Sequence, residues 1–374
     1  MTYRTRSPWI AVLLLLCLVA TACAGGSDDD AAEVDVTDAP EAADPADDPQ
    51  ATPADAATDA ATDAETEAPE DEATTAEPAG DPVTVRFASS APPSSIALLS
   101  DVIVGEGLDT ANGIILEPVE FTPDAAEQAI LTGQAEAGFF ALVSWAKVRA
   151  EGQDIVMLGP IQTNHGAVLV RADSEYESLE DLQGQRIATL SPVSGLYTSM
   201  QVLAAQLGLS WTDDFEVISG PPPGLVAFLE GGDVEAIVHF EPTVSQLLSS
   251  GDYRAVMTPA EAWEEATGEP LLMLGVAAPR EWVDANPEAA AGLDQAIRDA
   301  LTLLAGEPEV IRQYLSEFDL DEATLDVAAE RMAEIYIPES GAEIEAIAET
   351  ILNESVALGI IDEAPTPVFE PPGS

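Results

Sequence analysis

From residue 81 onward, short apolar runs alternate with stretches of helical periodicity, and this alternation restricts the possible folds of the chain most strongly. Runs rich in β-branched residues are typical of strands, whereas apolar residues three or four positions apart are typical of helices. The predicted strands are Val83–Ala88, Ile114–Phe121, Ala137–Phe140, Ile155–Ile161, Ala167–Arg171, Arg186–Leu190, Phe215–Ser219, Ala236–Phe240, Tyr253–Met257 and Leu271–Ala277. The helices predicted between them are Ser95–Gly105, Pro123–Gly133, Val143–Gly152, Gly195–Gly208, Leu225–Gly231 and Pro242–Ser250. Such alternation predicts an α/β fold made of βαβ units, with parallel sheets covered by helices on both faces.

The strands and helices form two series, followed by one returning strand and a C-terminal part that is almost wholly helical. This order predicts two α/β lobes joined by two crossings, near Asp173–Ser178 and Thr267–Leu271. The division gives a first lobe of residues 81–172 and 271–374 and a second lobe of residues 173–270. Ligands of open α/β sheets bind beyond the carboxyl ends of the strands. Two facing lobes would therefore form a cleft that closes around a small molecule.

The first 22 residues have the pattern of a secretory signal peptide. Two arginines precede the apolar run Ile10–Ala20, which is shorter than the roughly 20 residues that span a membrane. Small residues stand directly before Cys23, an arrangement that resembles a bacterial lipoprotein signal, in which the cysteine is acylated and becomes the mature N-terminus. We therefore expect residues 1–22 to be removed and Cys23 to carry a lipid. Ordinary secretion with a free Cys23 is the alternative.

The charge of the chain excludes several classes of partner. There are 69 acidic and 12 basic residues, and the formal net charge is −57. Residues 23–80 contain no Lys or Arg and few large apolar side chains, so they are predicted to form an extended, disordered tether. A chain this acidic offers no basic face for nucleic acid. Once Cys17 leaves with the signal peptide, one cysteine and two histidines remain, too few for a four-ligand Cys/His metal site or a disulfide framework, and no metal or cofactor is expected.

Three stretches are similar to one known group of proteins. They are Ala125–Ala137 (AAEQAILTGQAEA), Ser178–Ala188 (SLEDLQGQRIA) and Leu225–Pro242 (LVAFLEGGDVEAIVHFEP). These segments resemble the substrate-binding lipoproteins of bacterial ABC importers, in the nitrate, sulfonate, taurine and thiamine-pyrimidine-precursor group. The resemblance implies a two-lobed type II periplasmic-binding-protein fold, with the ligand cleft between the lobes and a helical C-terminal region. It also implies a monomer outside the cytoplasm, with a small-molecule solute and the ABC permease and ATPase subunits as partners.

The loop Ser191–Tyr197 lies between a predicted strand and a predicted helix, where a ligand could bind. If Ser194 caps the helix, the amides of Gly195 and Leu196 could receive an anionic group. Tyr197 would then form one wall of the pocket. An ordinary helix cap without ligand contact is the alternative, and the two interpretations are compatible.

Other candidate ligand contacts follow strands of the first predicted lobe. Ser89, Ser90 and Ser94 come after the first strand, where their hydroxyl groups could bind a ligand or merely cap the next helix. Phe140 and Trp145 follow the third strand, and Trp145 could stack on a planar ligand. Core packing of these aromatic residues is the alternative, because they have helical spacing.

Three further candidates lie near the predicted crossings and the strand ends. Asn164 and His165, in a loop between two strands, suit polar recognition, with a solvent-exposed turn as the alternative. Glu241 ends a strand and could pair with an amino or amidine group, or serve only the start of the following helix. His239, inside the same strand, is expected to point into the core.

The sequence offers little for catalysis. No G-x-S-x-G, H-E-x-x-H or G-x-x-x-x-G-K-[ST] motif occurs. The resembled fold also occurs in a pyrimidine-synthesising enzyme family with a cysteine-rich signature, but this chain has no cysteine after Cys23. We therefore expect a receptor without enzymatic activity that delivers a nitrogen heterocycle, a sulfonate or a related organic solute to an ABC importer. A ligand-sensing or surface-interaction module on the same fold is the alternative.

Overall fold

The structure is a computed structural model, and it describes residues 82–373. Its strands are β1 (Val83–Ser90), β2 (Ile114–Phe121), β3 (Ala137–Ala141), β4 (Ile155–Thr163), β5 (Gly166–Arg171), β6 (Arg186–Thr189), β7 (Glu216–Ser219), β8 (Ala236–Phe240), β9 (Tyr253–Met257) and β10 (Leu272–Pro279). Each predicted strand is therefore present, within two residues of its predicted bounds. The signal peptide, Cys23 and the acidic tether lie outside the described residues.

The helices cover both sheets and form most of the C-terminal region. Those before β10 are α1 (Ser95–Gly105), α2 (Leu108–Ala111), α3 (Pro123–Leu131), α4 (Leu142–Ala150), α5 (Gly195–Gln206), α6 (Pro222–Gly231), α7 (Thr243–Ser250) and α8 (Pro259–Thr267). Those after it are α9 (Arg280–Ala285), α10 (Pro287–Gly306), α11 (Pro308–Leu315), α12 (Glu322–Ala333) and α13 (Gly341–Ala357). A short 3₁₀ helix covers Glu180–Leu182. Between residues 82 and 373, no helix has the length and hydropathy that a membrane span requires.

The strands form two five-stranded sheets, which confirms the predicted two-lobed α/β fold. The first sheet has the order β2-β1-β3-β10-β4 and the second has the order β7-β6-β8-β5-β9. Both sheets are mixed, although parallel sheets were predicted. β10 runs antiparallel to β3 and β4, and β5 runs antiparallel to β8 and β9. The reason is that β5 and β10 each arrive from the other sheet, so neither is the second strand of a βαβ unit within its own sheet.

The first crossing lies earlier in the chain than predicted. Gly166 pairs with Phe240 of β8, so β5 belongs to the second sheet and not to the first lobe. The chain therefore crosses at residues 164–165 instead of near Asp173–Ser178. The strands on both sides of this crossing are buried and apolar, and this similarity hides the crossing in the sequence. The chain returns to the first sheet at β10.

Each sheet has its own apolar core. The first core includes Phe87 and Trp145 and is extended by the C-terminal helices α10, α12 and α13. The second core includes Val168 and Ile237. Helix α5 packs on both, because Met200 and Ala204 lie in the second core while Val202 and Leu203 lie in the first. This shared helix links the two lobes, and its N-terminus lies at the gap between them.

Candidate functional site

A cleft of about 830 Å³ lies between the two sheets, and residues of both lobes line it. On the first lobe, its walls are Ser90–Ile96 after β1 and Glu120–Pro123 at the end of β2. On the second lobe, they are Ser194–Leu196 after β6 and Pro221–Pro223 after β7. The cleft thus occupies the carboxyl ends of parallel strands in both sheets, which is where open α/β sheets bind ligands. Its volume is in the range of small-molecule sites.

Two of the helices that begin at the cleft, α1 and α5, have a serine cap. The Ser94 hydroxyl accepts a hydrogen bond from the Ala97 amide at 3.1 Å, and the Ser194 hydroxyl accepts one from the Tyr197 amide at 3.2 Å. Both serines therefore cap a helix, and both also line the cleft. The first turn of α5 leaves the amide groups of Gly195 and Leu196 without partners inside the helix. These two residues also line the cleft.

Gln162 and His165 form a polar pair in the cleft lining. The Gln162 side chain is fully buried, and its Nε2 lies 3.0 Å from His165 Nδ1. The same Nδ1 also lies 3.4 Å from the Thr163 carbonyl oxygen. Burial lowers the pKa of His165 to about 4, so the ring is neutral at pH 7. The other amide atom, Gln162 Oε1, is buried with no hydrogen-bond partner among the described residues.

His239 also lies in the wall of the cleft. It was expected to point into the core, and its side chain is buried, yet its ring forms part of the cleft lining. The Phe240 amide donates to His239 Nδ1 at 2.9 Å, and Nε2 lies 3.2 Å from the Pro222 carbonyl oxygen. These contacts place the proton on Nε2. Burial lowers the pKa of His239 as well, so this ring is also neutral at pH 7.

The formal charge of the cleft lining is negative. Two carboxylates line it, Glu120 on an exposed edge and Glu127 in a buried position. The Glu127 carboxylate accepts a hydrogen bond from the Ala141 amide at 2.9 Å. No arginine or lysine is present among the described residues that line the cleft. Within residues 82–373, no group of three or more His, Cys, Asp or Glu side chains could hold a metal ion.

Six of the candidate ligand contacts lie in the cleft lining, and six lie elsewhere. Those in the lining are Ser90, Ser94, His165, Ser194, Gly195 and Leu196. The cleft lining is otherwise largely apolar, with residues such as Phe121, Phe139 and Met273. The candidates outside it are Ser89, Phe140, Trp145, Asn164, Tyr197 and Glu241.

The aromatic candidates outside the lining pack in the cores. Trp145 is fully buried in the first core, where its Nε1 donates to the Ile155 carbonyl at 2.9 Å. Phe140 is fully buried in the same core. Tyr197 lies in the second core, with its ring edge to face with Trp211 at 6.3 Å between centroids. Core packing, the alternative interpretation for Phe140 and Trp145, therefore describes all three.

The polar candidates outside the lining form hydrogen bonds with other groups of the protein. The Ser89 hydroxyl lies 3.0 Å from the Ser100 hydroxyl, beneath α1. The Asn164 side chain accepts from the Gly166 amide at 2.9 Å and so fixes the first crossing. Glu241 is 1% exposed and receives a hydrogen bond from Arg331 Nε at 2.6 Å. Its other oxygen accepts from the Ser245 amide at 3.0 Å. Each of these three side chains thus has a hydrogen-bond partner within the protein.

Gln162 is the main polar residue of the cleft that the sequence interpretation missed. Gln162 directly follows the predicted strand Ile155–Ile161, in which no side chain has a nitrogen or oxygen atom. A polar side chain in such a strand must find a partner or face a cavity, and that pattern could have identified it. Phe139 was missed for a different reason. It alternates with Phe140 along β3, and the sequence does not say which of the two faces the cleft.

Comparison with known proteins places the chain in a family. The family model of the NMT1-like family matches residues 57–316, which is well over half of the chain. No curated protein matches the chain significantly. Among solved structures, the alkanesulfonate-binding protein from Xanthomonas axonopodis pv. citri, bound to MOPS, is 19% identical with a TM-score of 0.61, over 78% of this chain and 97% of that one.

Two further solved structures are similar. The periplasmic aliphatic sulphonate binding protein from Escherichia coli is 18% identical with a TM-score of 0.58, over 75% of this chain and 94% of that one. The periplasmic nitrate-binding protein from Synechocystis PCC 6803 is 16% identical with a TM-score of 0.59, over 77% and 84%. At these identities the likeness concerns the fold. The chain belongs to the NMT1-like family and has the two-lobed fold of periplasmic binding proteins.

Proposed function

We propose that this protein is the extracytoplasmic solute receptor of an ABC importer. It captures a small organic solute between its lobes and delivers it to the permease and ATPase subunits. The cleft at the carboxyl ends of strands from both sheets carries this proposal, because its largely apolar wall with few polar groups is typical of small-molecule sites. Membership of the NMT1-like family and the similarity to sulfonate- and nitrate-binding proteins support it.

Capture in this cleft uses noncovalent contacts from both lobes. Apolar side chains such as Phe139 and Leu196 remove the solute's apolar surface from water. The Gln162 amide, the His165 ring and the first turn of α5 offer hydrogen bonds. These hydrogen bonds become stronger when the solute excludes water from the gap. Binding and release need no bond to be made or broken, so we propose a receptor and not an enzyme.

We further propose that the mature protein is a monomer tethered to the outer face of the cell membrane. A lipid on Cys23 would provide the anchor, and the acidic segment up to residue 80 would be the spacer. Self-repulsion among the carboxylates of that segment would keep it extended. Such a tether holds the cleft within reach of a membrane-embedded permease.

A thermal-shift screen of the mature chain tests the receptor function. The compounds are sulfonates, pyrimidines, amino acids and carboxylates. A solute that binds the folded protein alone raises the melting temperature, and the rise increases with its concentration by mass action. We expect at least one compound class to do so. A melting temperature that no compound raises would count against solute capture.

A further inference from the structure

Both charged side chains in the cleft lining are carboxylates, and one buried amide oxygen there has no hydrogen-bond partner among the described residues. We propose that the cleft selects solutes that carry an N–H donor group and no net negative charge, such as an amide, an amine or an amidine, and that Gln162 Oε1 is the acceptor for this group. This inference rests on the proposed function, because it names the chemical class of the solute that the same cleft captures.

Gln162 Oε1 is the observation that points to a donor. The residue is fully buried and lines the cleft, and this oxygen has no hydrogen-bond partner among the described residues. The other end of the amide, Nε2, lies 3.0 Å from His165 Nδ1. Leaving a buried acceptor unpaired is costly, and buried polar atoms are rarely left so. An N–H group of the solute would supply the missing partner.

The charges around the cleft disfavour an anion. A sulfonate or carboxylate entering the cleft would lose water and meet the carboxylates of Glu120 and Glu127, with no arginine or lysine among the described lining residues to pair with it. Arg331, which is not a lining residue, already pairs with Glu241. Both histidines of the lining are neutral at pH 7, so they add no positive charge.

Helices α1, α3, α5, α6 and α7 all begin at residues that line the cleft, and α5 offers free amide groups there. A helix N-terminus carries roughly half an elementary charge, less than the full charge of one lining carboxylate. The Ser194 hydroxyl already takes one of its amides, that of Tyr197. The remaining amides at Gly195 and Leu196 suit a neutral acceptor, such as the carbonyl oxygen of an amide or a ring nitrogen. A solute with both a donor and a neutral acceptor would satisfy the two lobes together.

The field of the whole chain acts in the same direction. With 69 acidic and 12 basic residues, the protein attracts cations and repels anions over distances up to the screening length. The apolar wall, including Phe121 and Val226, fits a compact hydrophobic body behind the donor group. These features together define a small, mainly apolar solute with a neutral or cationic nitrogen group.

Calorimetry with matched solutes tests the inference. Six compounds are titrated into the mature chain. They are the sulfonate, the carboxamide and the amidine of a phenyl skeleton, and the same three derivatives of a cyclohexyl skeleton. We expect the amide or the amidine to bind at least about tenfold more tightly than the sulfonate. A sulfonate that binds as tightly as its partners would overturn the charge selection while leaving solute capture intact. No binding by any of the six compounds would count against both.

A pair of variants tests the role of Gln162. Gln162→Leu removes the acceptor, whereas Gln128→Leu makes the same change on the exposed face of α3, outside the cleft lining. We expect the first variant to weaken amide or amidine binding about tenfold and the second to leave it unchanged. If Gln162→Leu lowers the melting temperature, Gln162→Glu serves as a second variant and should favour the amidine over the amide. Equal affinities of the wild type and both Gln162 variants would overturn the assignment.

Discussion

His165 is neutral because it is buried at the junction of the two lobes. Burial holds its pKa at about 4, below the ordinary histidine value of about 6.5 that it regains on unfolding. Between these two pH values the unfolded chain binds a proton that the folded chain does not. The free energy of unfolding therefore falls as the pH decreases from about 6.5 to about 4.

Replacing this histidine should remove part of the acid sensitivity. Between pH 6.5 and pH 4, we expect the free energy of unfolding to fall less in His165→Gln than in the wild type. The two decreases should differ by an amount on the order of 3 kcal/mol. Denaturant unfolding of both proteins from pH 4 to pH 8 measures it. Parallel stability curves for the two proteins would show that His165 is not held neutral by the fold.

Gly138 lies where two strands of the first sheet touch. A Cβ atom at this position would lie 2.6 Å from Ala88 Cβ and 2.8 Å from the Ala88 carbonyl oxygen. We expect Gly138→Ala to lower the free energy of unfolding by roughly 1–3 kcal/mol, since the sheet cannot yield without moving backbone. Gly105→Ala, at the end of α1, is the matched control, because no atom lies within 4 Å of its Cβ position. Chemical unfolding that ranks the control as the less stable variant would contradict this packing.

The sequence predicts the character of cleft residues better than their position. Ser94 and Ser194 stand before predicted helices, and such serines are expected both to cap and to face the strand ends. Trp145 and Tyr197 have equally suggestive positions, but their rings turn inward to the cores. Which face of a helix looks into a cleft depends on how the second lobe packs, and a local pattern does not contain that information.

An ion pair between helix α12 and the residue that follows β8 joins the two lobes. Arg331 lies on α12, whose Leu325 and Met332 pack in the first core, whereas Glu241 lies between β8 and α7 of the second lobe. The carboxylate is 1% exposed and also accepts from the Ser245 amide. A buried carboxylate that loses its cation is left uncompensated, and that loss costs far more than breaking an exposed pair.

This contrast predicts the effect of removing each arginine. Arg331→Met should lower the free energy of unfolding by about 2–4 kcal/mol, because Glu241 stays buried without its partner. Arg312→Met is the control, since Arg312 pairs with the exposed residues Glu322 and Asp326, and we expect a cost below about 1 kcal/mol. Urea unfolding of the two variants compares them. Similar losses in both would mean that the Glu241 pair does not stabilise the contact between the lobes.

The elements themselves were largely predictable, and their pairing was less so. β2 has the predicted bounds Ile114–Phe121, because its flanking glycine and proline mark both ends of the apolar run. The direction of β5 was not predictable in this way. A strand that enters a sheet from another lobe has the same apolar pattern as one that follows a crossover helix. The pairing of β5 with β8 and β9 shows that it belongs to the second sheet.

The proposed lipid on Cys23 would determine where the protein works, because it would hold the whole molecule at the membrane. We expect Cys23→Ser to move the protein from the membrane fraction to the soluble fraction, because the acyl chains are its only proposed attachment to the membrane. Fractionation of cells that produce each form, with immunoblotting, measures this shift. Cys17→Ser is the control, since Cys17 lies inside the predicted signal peptide and leaves with it. Membrane retention of the Cys23 variant would refute the anchor.

A solute that occupies the gap between the two lobes must lose affinity when a larger side chain fills that gap. Val226 lines the cleft on α6, whereas Val327 is 41% exposed on α12, outside the cleft lining. Calorimetric titration of the best solute into Val226→Trp should show at least about a tenfold loss of affinity. Val327→Trp should bind the solute one to one, with the affinity of the wild type. If a folded Val226→Trp protein binds the solute with undiminished affinity, the solute does not bind in the cleft between the lobes.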